Sequence, residues 1–146
     1  MNTIALQGLL MSDPKTERGH VCALNELPTR ITEVPALYIV NSQPRTKRGQ
    51  HWLALYIPEN GPIEFFDSLE RHPSYYQLDV MNFITNEHRY QQVGTRSCGH
   101  YFYYYLYQRC TGRSMRDILK DFDVEDLDKN ETLVTDFVNS MDIFDL

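Results

Sequence analysis

The sequence predicts an α+β fold, a small antiparallel or mixed β-sheet flanked by helices, on three observations. Strand-like runs at 37–41, 51–57 and 63–67 follow one another through turns. Helical patterns stand at both ends of the chain. Between them, Cys98 opens a run, Gly99-His-Tyr-Phe-Tyr-Tyr-Tyr-Leu-Tyr107, that holds no further glycine or proline. With 146 residues, a single domain spanning 1–146 is expected, long enough for a core and too short for two ordinary domains.

The elements follow in order. Asn2 or Thr3 can cap a helix over 3–11, with Ile4, Leu6, Leu9 and Leu10 as its apolar positions, and Ser12-Asp13-Pro14 stops it. Residues 15–36 read as irregular, broken by Gly19, Pro28 and Pro35 around a short apolar patch at 21–24. The three strands then form a meander, with 43–50 as a basic connection and Pro58-Glu59-Asn60-Gly61 as a turn. Ser74 to Thr85 has the apolar spacing of an amphipathic helix, and a short strand is expected around 88–93. The helix opened by Cys98 runs to about Cys110, where Thr111-Gly112 ends it. Its five tyrosines are too many to be buried with unpaired hydroxyls, so some should reach the surface or a groove. Two acidic helices, 116–122 and 128–141, complete the chain and pack residues 116–146 on the rest. Leu127, Leu133, Val134, Phe137, Val138 and Met141 form an apolar stripe, with the acidic residues turned to water.

Charge and cysteine usage exclude several classes. The net charge of −6 divides into +2 over 1–116 and −8 over 117–146, so composition gives no uniform affinity for nucleic acid. Arg45, Lys47 and Arg48 read as a solvated loop tip rather than a phosphate contact. No apolar run has the length of a membrane span, and no secretory leader is evident. Three cysteines, Cys22, Cys98 and Cys110, without a CxxC pair suggest neither a disulfide framework nor a zinc site. A reducing compartment inside the cell, no metal and no membrane are the expectations.

The chemistry concentrates around Cys98. A thiol at the first turn of a helix meets unpaired backbone N–H groups and the positive end of the dipole, which favour thiolate. Most lone buried cysteines are nonetheless core residues, so Cys98 needs a base. A three-residue loop at 58–60 would set 57 opposite 61 and 51 opposite 67, standing His51 beside Asp67; a four-residue loop would shift the pairing to Ser68. A carboxylate beside an imidazole fixes its tautomer and stabilises the imidazolium. The Cys98 N–H and the Gln92 amide, folding back along the loop, can form an oxyanion hole. His20, His72 and His88 read as surface residues, and His100 points to another face of the helix than Cys98.

The order His51-Trp52, Asp67, Gln92, Cys98-Gly99 resembles that of the adenovirus-type maturation cysteine proteases, the adenain family, and more distantly that of the SUMO-processing, Ulp-like proteases of the same clan. Ile39-Val40-Asn41, His51-Trp52-Leu53-Ala54, Phe65-Phe66-Asp67 and the six-residue step from Gln92 to Cys98 carry the resemblance, which spans about residues 3–110. It implies a permuted papain-like fold, with the catalytic order reversed. It implies Cys98 as nucleophile, His51 as general base, Asp67 as third member and Gln92 as oxyanion donor. Trp52 and Gly99 would bind substrate, Trp52 covering the backbone next to the scissile bond in a slot that admits little but glycine.

The reaction so implied is cleavage after or near Gly-Gly-like sequences in viral precursor capsid or core proteins, in the virion and the host nucleus or cytoplasm. One alternative is a protease removing ubiquitin or SUMO-like modifiers through their Gly-Gly tails; another is an inactive peptide-binding module. A monomer is expected, with no required cofactor. The family's enzymes are activated by DNA and by a viral peptide disulfide-bonded to a cysteine between the Asp67-like and Gln92-like positions. This chain has no cysteine from 67 to 97 and is acidic, so neither disulfide nor DNA activation is expected, although an activator peptide can still add a strand at the meander's edge.

Overall fold

Apolar side chains alternate along the middle strands, and the sheet follows from burying both sets. Leu37, Ile39, Trp52, Ala54 and Phe66 turn to one face, where helices cover them; Tyr38, Val40, Leu53, Leu55 and Phe65 are buried on the other. The computed structural model describes residues 3–23, 34–41, 51–70, 83–92, 95 and 97–141. Its elements are α1 (Thr3–Met11), β1 (His20–Ala23), β2 (Ala36–Asn41), β3 (Trp52–Ile57), β4 (Ile63–Phe66), β5 (Phe83–Thr85), α2 (Cys98–Cys110), α3 (Met115–Leu119) and α4 (Leu127–Met141). The strands form one mixed sheet in the order β1-β2-β3-β4-β5, antiparallel in the middle and parallel at both outer pairs.

Helix α2 lies on the sheet and organises the core. Tyr101, Phe102, Tyr103, Tyr105 and Leu106 are fully buried. Phe66 of β4 stacks on Tyr105 at 4.7 Å between ring centroids and meets Phe102 edge-on at 5.7 Å. Helix α1 approaches α2 closely at Gly99, where an added Cβ would come within 3.3 Å of Leu6. Helix α4 packs along α2 through Val134, Val138 and Phe137, the last in edge-on contact with Tyr104 and Tyr107.

The expected antiparallel meander is present as β2-β3-β4, and four expectations need correction. Residues 20–23, read as irregular, pair in parallel with β2 as β1. Residues 83–85, read as the end of a helix, form β5, a three-residue strand made by its pairing with β4. The remainder of that helix, the basic loop at 43–50 and His72 fall outside the described residues. No strand occupies the described part of 88–93. The β3-β4 register also differs: Leu55 faces Phe65 and Tyr56 faces Glu64, two residues beyond expectation. Pro58 and Pro62, which lack ladder N–H groups, bound a five-residue connection, and Gly61 turns it at φ +105°.

Four of the five tyrosines of α2 are buried and Tyr107 is half-buried, and hydrogen bonds inside the protein serve most of the buried hydroxyls. The Tyr105 hydroxyl donates to Glu64 at 2.6 Å and that of Tyr104 to Asp121 at 2.6 Å. Tyr101 lies near Glu131, and the Tyr103 hydroxyl sits beside Ser12 and Thr16 without a well-formed bond. At the helix C-terminus, Arg109 grips Glu64 with two nitrogens, each at 2.8 Å, and stacks 4.2 Å over Tyr56.

Arg109→Ala should lower unfolding free energy by about 3 kcal/mol, because it strands the nearly buried Glu64 carboxylate without its counter-charge. Urea denaturation followed by circular dichroism measures this. A loss below about 1 kcal/mol would mark the pair as effectively solvated.

Candidate active site

Two strand ends and one helix start converge at one end of the sheet. His51 immediately precedes β3, Asp67 immediately follows β4, and Cys98 is the first residue of α2. His51 Nε2 lies 2.6 Å from Asp67 Oδ1, with the imidazole 5% exposed and the carboxylate fully buried. The His51 ring also rests edge-on against Phe102, 5.7 Å between centroids, which fixes its plane. The two-residue register shift does not separate the pair, because an even shift preserves faces and both residues lie beyond the ladder.

On its other side the imidazole feels the Cys98 side chain, which favours its charged form. Burial opposes charge on the imidazole, but hydrogen bonds and attraction from Asp67 and Cys98 outweigh it and raise the His51 pKa from 6.5 to about 9. Ser97, at the N-cap of α2, makes no side-chain cap bond, and the first turn holds no acidic residue. The leading N–H groups of the helix therefore meet no capping side chain at Cys98. His20 and His88 are exposed, and His100, half-buried, lies two positions on from Cys98.

A buried carboxylate must be held from several sides, and here the holders are residues that the sequence reading did not single out. Asp67 Oδ1 accepts the Leu69 N–H at 2.9 Å. Asn86 clasps the Asp67 backbone reciprocally: its Oδ1 accepts the Asp67 N–H at 3.0 Å and its Nδ2 donates to the Asp67 carbonyl at 2.7 Å. The next carbonyl, Ser68, accepts the N–H groups of Tyr90 and Gln91 at 2.8 and 3.0 Å. The Ser68 hydroxyl donates to Gln91 Oε1, and Gln91 Nε2 donates to Thr95 Oγ1 at 2.9 Å.

Of the predicted site residues, His51, Asp67 and Cys98 come together directly. Gln92 is exposed, and its carbonyl accepts the Thr95 hydroxyl at 2.8 Å, whereas neighbouring Gln91 is buried and fully engaged. The amide of Gln92 is thus the one of the two turned outward. Trp52 is 8% exposed within the core layer beneath α2. Gly99 has a packing role, the close approach of Leu6, rather than an open face. No group of three His, Cys, Asp or Glu among the described residues could hold a metal ion, and no helix among them is long and apolar enough to cross a membrane.

The imidazole of His51 should titrate near pH 9 by NMR, and Asp67→Asn should lower that value, since burial then meets weaker opposition. A histidine raised in this way adds stability that is complete below pH 6.5 and lost as pH rises through about 9. A wild-type His51 titrating at 6.5 would mean that the pair does not form in solution.

The geometry has counterparts among solved structures. Over 92% of this chain and 74% of the other, the fold matches the SUMO protease Ulp1 with its catalytic cysteine oxidised to a sulfinic acid, at 15% identity and a TM-score of 0.55. The sulfonic acid form of that SUMO protease matches over 93% and 78% of the two chains, at 15% identity and a TM-score of 0.54. No protein-family model matches the chain, and no curated protein matches it in sequence. The chain therefore shares its α+β fold, a mixed five-stranded sheet with flanking helices, with the SUMO protease Ulp1.

Proposed function

We propose that the chain is a cysteine endopeptidase that cleaves at Gly-Gly-like sequences. The observation that carries this reading is the buried line Asp67–His51–Cys98, ending on the first residue of an uncapped helix. With the His51 pKa near 9, the imidazole is protonated at neutral pH, which supports an imidazolium ready to donate beside the thiol. The Cys98 thiolate attacks the peptide carbonyl carbon, and the resulting oxyanion is held by the Cys98 N–H and the Gln92 amide. His51 gives its proton to the departing amine as the C–N bond breaks, leaving a thioester. Water, deprotonated by the now neutral His51, hydrolyses that thioester and regenerates the thiolate beside a protonated His51. Asp67 keeps the ring oriented and its positive charge compensated throughout.

Two substrate classes offer such sequences. The fold shared with a SUMO protease favours the Gly-Gly tails of ubiquitin-like modifiers. The motifs around His51, Asp67 and Cys98 that resemble adenovirus-type enzymes favour precursor proteins cut during virion maturation. The chemistry is common to both, and substrate panels of modifier fusions and of Gly-Gly peptides separate them.

Cys98→Ala should abolish cleavage in both panels with the fold intact by circular dichroism, and Gln92→Ala should lower kcat on the order of a hundredfold. Limiting iodoacetamide with peptide mapping gives a second measure. Cys98 should alkylate fastest and His51→Ala should remove its advantage, while Cys110, pushed up to about 11 by burial, stays slow at neutral pH. Full activity in Cys98→Ala would end the proposal.

A further inference from the structure

Two adjacent residues of α4 reach the two ends of the loop that carries Gln92. At the upstream end, Asn130 Nδ2 donates to the Tyr90 carbonyl at 3.0 Å, and the Tyr101 hydroxyl stands 3.3 Å from the same oxygen. At the downstream end, the Ser97 hydroxyl donates to Glu131 Oε2 at 2.6 Å, and the Tyr101 hydroxyl is 3.2 Å from that oxygen. Asn130 is itself immobilised. It is 1% exposed, its Oδ1 accepts the Asp123 N–H at 2.7 Å, and its Nδ2 also donates to the Asp123 carbonyl at 2.7 Å.

These bonds explain two oddities. Ser97 occupies a cap position yet leaves the helix uncapped, because its hydroxyl is engaged by Glu131. Asn130 is a polar residue buried one turn before Val134 on an otherwise apolar stripe, a placement tolerated only when its polar atoms are satisfied. An apolar residue would pack there as well, but it would not hold the Tyr90 carbonyl. Opposite Asn130, the Ser68 carbonyl grips the N–H groups of Tyr90 and Gln91. The Tyr90–Gln91 peptide is thus clamped between the Asp67 turn and α4.

We propose that Asn130 and Glu131 are positioning residues that hold Tyr90 and Ser97, on either side of Gln92, and with them set the Gln92 amide and the Cys98 N–H in the geometry the oxyanion needs. The inference rests on the proteolytic reading of Cys98 for its consequence, but not for its structural content. Helix α4 is then part of the active-site scaffold, and activity depends on its docking.

The test uses the full chain with Asn130→Ala, Glu131→Ala and Glu131→Gln, followed by steady-state kinetics on a Gly-Gly substrate and by amide hydrogen exchange. Asn130→Ala should lower kcat at least tenfold with KM changed less than twofold, and speed exchange at 90–92 tenfold or more while β3 amides stay protected. Glu131→Ala should speed exchange at 100 and 101, whose N–H groups donate to the Ser97 carbonyl, and lower kcat, and Glu131→Gln, which keeps the acceptor, should recover most of that loss. Unchanged loop exchange in both alanine variants would overturn the inference, as would a loss carried entirely in KM. If Asn130→Ala fails to fold, the half-exposed Glu131 pair decides alone through the amides at 100 and 101. If the wild-type chain cleaves nothing, the protease reading falls, and loop exchange still decides whether α4 positions the loop.

Discussion

A carboxylate with no exposed surface constrains this end of the molecule more than any other group. Burying Asp67 there requires hydrogen bonds that replace the lost water, and the Leu69 N–H and His51 Nε2 both converge on one of its oxygens. Neither partner would be in range unless the chain turned sharply after β4. Asn86 enforces that turn from outside, binding the Asp67 backbone at both its N–H and its carbonyl. His51 in turn is wedged against Phe102, so the orientation of the imidazole is coupled to the packing of α2. The charge on His51 is a consequence of this arrangement rather than of exposure, since burial alone would push it the other way.

The position of Cys98 depends on the same packing from the other side. Helix α2 is fixed along its length by aromatic contacts with Phe66, Phe122 and Phe137, and at its C-terminus by the Arg109–Glu64 pair on β4. Its N-terminus sits where Gly99 lets Leu6 of α1 approach closely. A helix so held cannot slide by a turn without disrupting all these contacts, so the distance from thiol to imidazole is set by core packing. The far end of the helix, remote from any chemistry, thereby contributes to the near end.

The elements legible in the sequence were those whose apolar spacing repeats. Helix α1 spans the residues its pattern indicates, and β2, β3 and β4 lie where runs of β-branched and aromatic residues stand between turns. The short outer strands carry too few residues for a period. Three residues at 83–85 fit the apolar spacing of the segment before them as well as they fit a strand, and pairing with β4 decides the matter. The nearness of His51 to Asp67 survived a register two residues away from expectation, because face and strand end matter more there than the rung. Asn86, Asn130 and Glu131 were not legible. Their partners lie 19, 40 and 34 residues away, and such bonds leave no local pattern. Asn130 alone had a signal, a polar residue on the apolar stripe of α4.

The acidic C-terminal segment illustrates why charge counts mislead at this scale. Read as composition, its excess of carboxylates is a solvated face. In the fold, several of them are bound to specific donors. Asp121 accepts the Tyr104 hydroxyl and two nitrogens of Arg113, which hold its carboxyl below the usual range. Asp123 accepts the N–H groups of Glu125 and Asp126 as α4 approaches, and its own backbone is held by Asn130. Glu131 then takes the Ser97 hydroxyl next to Cys98. A carboxylate accepts more hydrogen bonds than any neutral side chain, and the tyrosines, the serine, Arg113 and the N–H groups just ahead of α4 supply donors. The acidic residues follow the donors they satisfy, and the net charge of the segment reflects that pairing as well as its solubility.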